Sequence, residues 1–117
     1  MNTLQVLDED RLHILFSDNL DMVKEIYSIA LNDFPNTADK LHNAIDAGLD
    51  EQIAQYAHTL KGSIVNVGGE RASKIADEIN AAAKNHDITR CTELFPTFMS
   101  ELDAFFEAFR VYAKLEN

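Results

Sequence analysis

Among the side chains of this 117-residue chain that can do chemistry, His58 keeps the most informative company. An imidazole has its neutral, nucleophilic form well populated near neutral pH, so it can take a phosphoryl group as well as bind metal. Lys61 and Gly62 follow at i+3 and i+4, and Ala54 and Gln55 precede at i−4 and i−3, the spacings that share one helix surface. A glycine inside a helix costs about 1 kcal/mol relative to alanine, so Gly62 marks a place where side-chain bulk is unwanted. Between Ala54 and Gly62 the ring stands in a shallow clearing, with a movable ammonium on Lys61 in reach. Such surroundings suit a histidine that is approached by a large partner and carries an anion.

The element that must position this ring is a helix. Ile53, Ala57, Leu60, Ile64 and Val67 recur at helical spacing and form a stripe for burial. His58 follows Ala57 by one residue, so it is turned by roughly 100° away from that stripe, towards solvent.

The rest of the chain reads as helices too. Asp8 caps a short helix over about Glu9 to Phe16, with Leu12, Leu15 and Phe16 as its apolar contacts. Asn19 or Asp18 starts a longer one, to about residue 47, in which Pro35 predicts a kink, or else a break at 35–36. Gly48 suits the turn after it, and Asp50 is the expected cap of the helix over about 51 to 67 that bears His58. Gly68-Gly69 turns the chain into a fourth helix, about 70 to 85, with Ala72, Ile75, Ala76, Ile79 and Ala83 facing inward. A last helix, about 88 to 114, is rich in phenylalanine at helical spacing, and Pro96 predicts a kink near its start or else a split-off turn; its aromatics read as core. Short connections make neighbours antiparallel, which predicts an all-α, up-down four-helix bundle with a short additional N-terminal helix, in one domain over residues 1–117.

The stretch around the histidine resembles the histidine phosphotransfer (HPt) domains of bacterial multistep phosphorelays. Their pattern is His-x-Leu-Lys-Gly-Ser, commonly after an alanine and with a glycine some ten residues past the histidine. Ala57, His58, Leu60, Lys61, Gly62, Ser63 and Gly68 occupy those positions here. Ile64 departs from the pattern where a small residue is frequent, and Gly69 where alanine often follows the glycine. Ile64 belongs to the buried stripe and Gly69 to a turn. The resemblance implies that His58 is the phosphorylated nucleophile, relaying a phosphoryl group between receiver-domain aspartates of a hybrid sensor kinase and a response regulator. It implies that Lys61 offsets charge at the phosphoryl, with Ser63 beside it. Ala54, Gln55, Thr59, Gly62 and Val65 become docking contacts, and Lys84 joins a basic fringe. No cofactor is expected in this chain, since the receiver would bring the Mg²⁺. The rival expectation is a non-phosphorylated helical adaptor or inhibitor that binds a kinase or receiver with the same face.

Composition narrows the other classes. The net charge of −10 opposes nucleic-acid binding, which needs lysine and arginine against phosphate. The charge is uneven: residues 54–90 carry a net +1 and the remainder −11. No apolar run reaches the eighteen or so residues of a membrane span, and the N-terminus lacks the pattern of a signal peptide. A single cysteine, Cys91, cannot form an internal disulfide or a thiolate zinc site and fits a cytoplasmic location. Asp10/His13 and Asp39/His42 stand at i, i+3, but the Glu-x-x-His pairs of a dimetal bundle are missing, so no metal site is expected. His13, His42 and His86 read as ordinary polar-face or helix-end residues. No GxxxxGK[ST] or GxGxxG loop is present, so the chain is read as a phosphotransfer intermediate, not an enzyme that uses ATP. No sustained heptad stripe calls for a partner helix, and a monomer is expected.

Overall fold

Local signals at the helix ends account for most of the architecture. In the computed structural model, which describes residues 3–115, Asp8 accepts a hydrogen bond from the Arg11 backbone N–H and caps α1 (Glu9–Phe16). Ser17 (φ +47°) and Asp18 (φ +64°) then turn the chain through the left-handed region. Asn19 caps α2 (Leu20–Asp46) by accepting from Met22 N–H. That helix runs unbroken through Pro35, so the alternative of a break at 35–36 is not what forms. Phe34 and Ala38, buried on either side of the proline, keep the helix seated while one backbone donor is lost.

Gly48 (φ +66°) makes the turn into α3 (Asp50–Asn66), the helix of His58. Here one expectation is corrected. Asp50 is the first helical residue and caps nothing; the cap position is Leu49, which has no side-chain acceptor. The Asp50 carboxylate is instead drawn to the Nδ1 of His86 in the turn between α4 (Glu70–Lys84) and α5 (Ile88–Tyr112). α5 also continues through its proline, Pro96.

α2 to α5 form an antiparallel up-down four-helix bundle, and α1 is the short additional N-terminal helix. The closest association is between α3 and α4, where Ala72, Ala76 and Ala83 are buried and let the backbones approach. Ser73 Oγ donates to the Lys61 carbonyl at 2.9 Å across this contact. Phe98, Phe105 and Phe109 of α5 are fully buried, as the aromatic spacing predicts, and each such burial contributes roughly 1.5–3 kcal/mol. In α1 only Leu12 is buried; Leu15, expected as a contact, is 42% exposed. No described helix is long and apolar enough to cross a membrane.

The N-terminal segment is stitched onto the turn that ends α3. Asp8 N–H donates to the Gly68 carbonyl at 2.7 Å, and Arg71 N–H donates to the Gln5 carbonyl at 3.2 Å. Gly68 has φ +89°, and a Cβ there would meet the Asp8 carbonyl oxygen at 2.9 Å, so glycine is required for both shape and space.

Candidate functional site

Burial of one face of α3 fixes what the other face presents. Ile53, Ala57, Leu60 and Ile64 are at most 1% exposed, and this anchors the rotation of the helix so that His58 and Thr59 point outward. Three of the four histidines have an acidic partner: His13 with Asp18, His42 with Asp46 and His86 with Asp50. His42 also stacks on Phe95 with ring centroids 4.8 Å apart, so it is more than a plain surface residue. His58 is exposed and has neither hydrogen bond nor ion pair among the described residues.

The ring opens on a trough of about 710 Å³. α3 contributes His58, Thr59, Gly62, Ser63, Val65 and Asn66 to it, and Asp8, Arg11 and Glu70 come from neighbouring elements. A Cβ added to Gly62 would meet nothing within 4 Å. The glycine therefore answers no packing need among the described residues, and the bare surface it leaves is open to an external group. A second trough of about 340 Å³ runs along the α2 side of α3, where Lys40 and Thr37 face Thr59 and Ser63. Thr59 and Ser63 thus form the ridge between two depressions.

Not every expected residue meets at the ring. Ala54 is half-buried and Gln55 exposed, one turn before His58, and neither lines the trough. Lys61 reaches across to α4, where its Nζ lies 3.0 Å from Asp77 Oδ1, with both side chains still partly exposed. Lys84 ends α4 beside the start of α3, at the level marked by the Asp50–His86 contact. His58 lies eight residues further along α3, about 12 Å of helix rise, so Lys84 is not brought to the ring. Sequence reasoning missed Asp77 and Arg11, because helical spacing along one segment says nothing about what a different helix brings.

A larger cavity of about 1050 Å³ lies between α1, the start of α2 and the end of α5, and it contains none of the motif residues. His13 and Tyr112 line it; burial pushes the Tyr112 hydroxyl pKa up, with Asp18 and Glu9 adding to the effect. Among the described residues no group of three or more His, Cys, Asp or Glu side chains is arranged to hold a metal ion. At His58 the structure offers an accessible imidazole beside cleared helix surface.

Comparison with known proteins adds to this geometry. The family model for the Hpt domain matches residues 25–111. The fold is similar to the crystal structure of histidine-containing phosphotransfer protein B (HptB) from Pseudomonas aeruginosa PAO1, with a TM-score of 0.88. That likeness has 20% sequence identity and covers 98% of this chain and 100% of the other. No curated protein matches the sequence.

Proposed function

The chain belongs to the Hpt domain family, and on that premise we propose that it carries a phosphoryl group between receiver-domain aspartates as a phosphohistidine on His58. In the accepting step the lone pair of one ring nitrogen attacks phosphorus. The bond from phosphorus to the aspartyl oxygen breaks, and its electron pair leaves with the carboxylate. The N–H on the other ring nitrogen stays, and the phosphoryl oxygens offset the positive charge that the ring acquires. Onward transfer is the same displacement by the next receiver's carboxylate. Such transfers depend on positioning and charge neutralisation, and the receiver would bring the Mg²⁺. The protein is then a stoichiometric intermediate, with no turnover chemistry of its own.

The observation that carries this reading is the isolation of His58. Of four histidines it alone is both exposed and unpartnered among the described residues, beside a glycine that clears the surface. Lys61 supplies the mobile charge. An exposed ion pair such as Lys61–Asp77 is worth about 0–1 kcal/mol, so the ammonium can leave Asp77 for a phosphoryl group at little cost. Ala54, Gln55, Thr59, Gly62 and Val65 make the docking surface, and Ser63 lies at its edge.

The decisive experiment is phosphoryl transfer from phosphorylated receiver domains to the wild type and to His58→Gln. An acid-labile, alkali-stable label on the wild type, absent from the variant, is the expected result. Receivers that bind both proteins and label neither would sink the relay and install the adaptor reading in its place.

A further inference from the structure

Four arginines are present, and three of them meet a carboxylate: Arg71 with Glu101, Arg90 with Glu93 and Arg110 with Glu107. Arg11 does not. In a chain with 20 acidic residues, its guanidinium has no ion pair among the described residues and grips a neutral one. Nε donates to the Asn66 carbonyl at 3.0 Å and Nη2 to Asn66 Oδ1 at 2.8 Å. Those bonds use the Nε/Nη2 edge of the fork, which leaves the Nη1/Nη2 edge for a second planar acceptor.

Its position gives that edge a purpose. Arg11 is exposed and lines the same trough as His58, along with Asp8, whose carboxylate caps α1, and the half-buried Glu70. Asn66 lies two turns beyond His58, about 12 Å of helix rise, so the guanidinium stands at the rim and out of reach of the ring. α1 is fastened there by the Asp8–Gly68 and Arg71–Gln5 backbone bonds, and it lies outside the 25–111 span of the family model. A held arginine with one free edge, at the mouth of the site, is pre-organised to receive a carboxylate bidentately.

We propose that Arg11 is a partner-recognition residue: its free guanidinium edge binds a surface carboxylate of the receiver domain that docks over His58, so that α1 helps to select which receiver is served. This rests on the relay reading above and deepens it. A rim charge acts mainly on association and its salt dependence, not on the chemical step. Arg11 also completes the end of α3 by bonding an unpaired carbonyl, and the test must separate that structural role from recognition.

The full chain, its Arg11→Gln variant and its Arg11→Ala variant are titrated with a panel of isolated receiver domains at low and high salt, alongside thermal melts. Glutamine keeps a donor for Asn66 and removes the charge. For the receivers that phosphorylate His58, the expected result is about three- to tenfold weaker binding by Arg11→Gln at low salt, shrinking at high salt. Its melting temperature and the acid lability of its label stay those of the wild type. Equal affinity and equal salt dependence of wild type and Arg11→Gln would overturn the proposal. So would losses confined to Arg11→Ala that follow its melting temperature, since those belong to the α3 end alone. A wild type that no receiver labels is a separate failure: it removes the relay itself, and Arg11 then loses its proposed role with it.

Discussion

Gly62 separates the demands of folding from those of docking at a single residue. Nothing lies within 4 Å of a Cβ built there, so Gly62→Ala should stabilise the fold by about 0.4–1 kcal/mol, read from urea denaturation. Gly62→Gln should be at least as well folded as wild type, since glutamine is a good helix former, yet it fills the clearing beside His58. Phosphoryl transfer from a receiver should then fall by about tenfold or more, as expected when approach geometry is lost. A destabilised Gly62→Ala, or unimpaired transfer by Gly62→Gln, would show that the glycine is there for another reason. This residue was legible in the sequence because its anomaly is local: i, i+3 and i+4 relations follow from helix geometry alone. Arg11 was not, since it meets Asn66 across 55 positions of sequence. The Lys61–Asp77 pair was hidden for the same reason: it joins two different helices, so no single helical pattern reveals it.

At the scale of elements, the join of α3 to α4 explains two departures from the family pattern at once. A Cβ on Gly69 would stand 2.3 Å from Cγ2 of Ile64 and 2.9 Å from Cδ1 of Phe105. The larger residue at 64 occupies the space that an alanine at 69 would need. Gly69→Ala should therefore overpack the turn and cost about 1–3 kcal/mol. Ile64→Ala alone should cost about 2–5 kcal/mol through the cavity it leaves. Combined, the two should cost less than their sum by about 1 kcal/mol or more, and a double-mutant cycle in urea measures that coupling. Strict additivity would show that the two departures are unrelated. Helix ends elsewhere were readable where a side chain caps its own helix, as Asp8 and Asn19 do; Asp87 caps α5 in the same way, a role its sequence reading did not assign. Asp50 misled because a partner 36 residues away, His86, competes for its carboxylate. At Pro35 the single helix read across it is what forms: buried neighbours hold α2, and likewise α5 at Pro96, together through positions where local propensity alone would favour an interruption.

For the whole molecule, the lone thiol reports how the bundle opens. Cys91 is fully buried at the start of α5, 3.6 Å from the Ile79 carbonyl of α4. Burial pushes its pKa up, and the charges of Asp87 and Asp50 push it the same way. The folded state thus keeps the thiol protonated at pH values where the unfolded chain has become thiolate. The stability tied to this group is intact below the ordinary thiol range and is lost as pH rises through that range towards the folded value. Because thiolate is the reactive form, native protein at pH 8 should react with a disulfide reagent only through opening of the α4–α5 contact. The net charge of −10 adds a second lever, since self-repulsion opposes the compact state and salt screens it. Raising the salt from about 0.02 M to about 0.3 M, which shortens the screening length severalfold, should therefore raise the urea midpoint. It should slow Cys91 labelling by the factor that the gain in stability dictates. If labelling instead proceeds at one rate regardless of urea and salt, then α5 opens locally at its start, independently of the rest of the bundle. The α3 face that carries His58 would then be held by a bundle whose α4–α5 side opens on its own, and Phe98, Phe105 and Phe109 would be left to anchor α5 without its first turns.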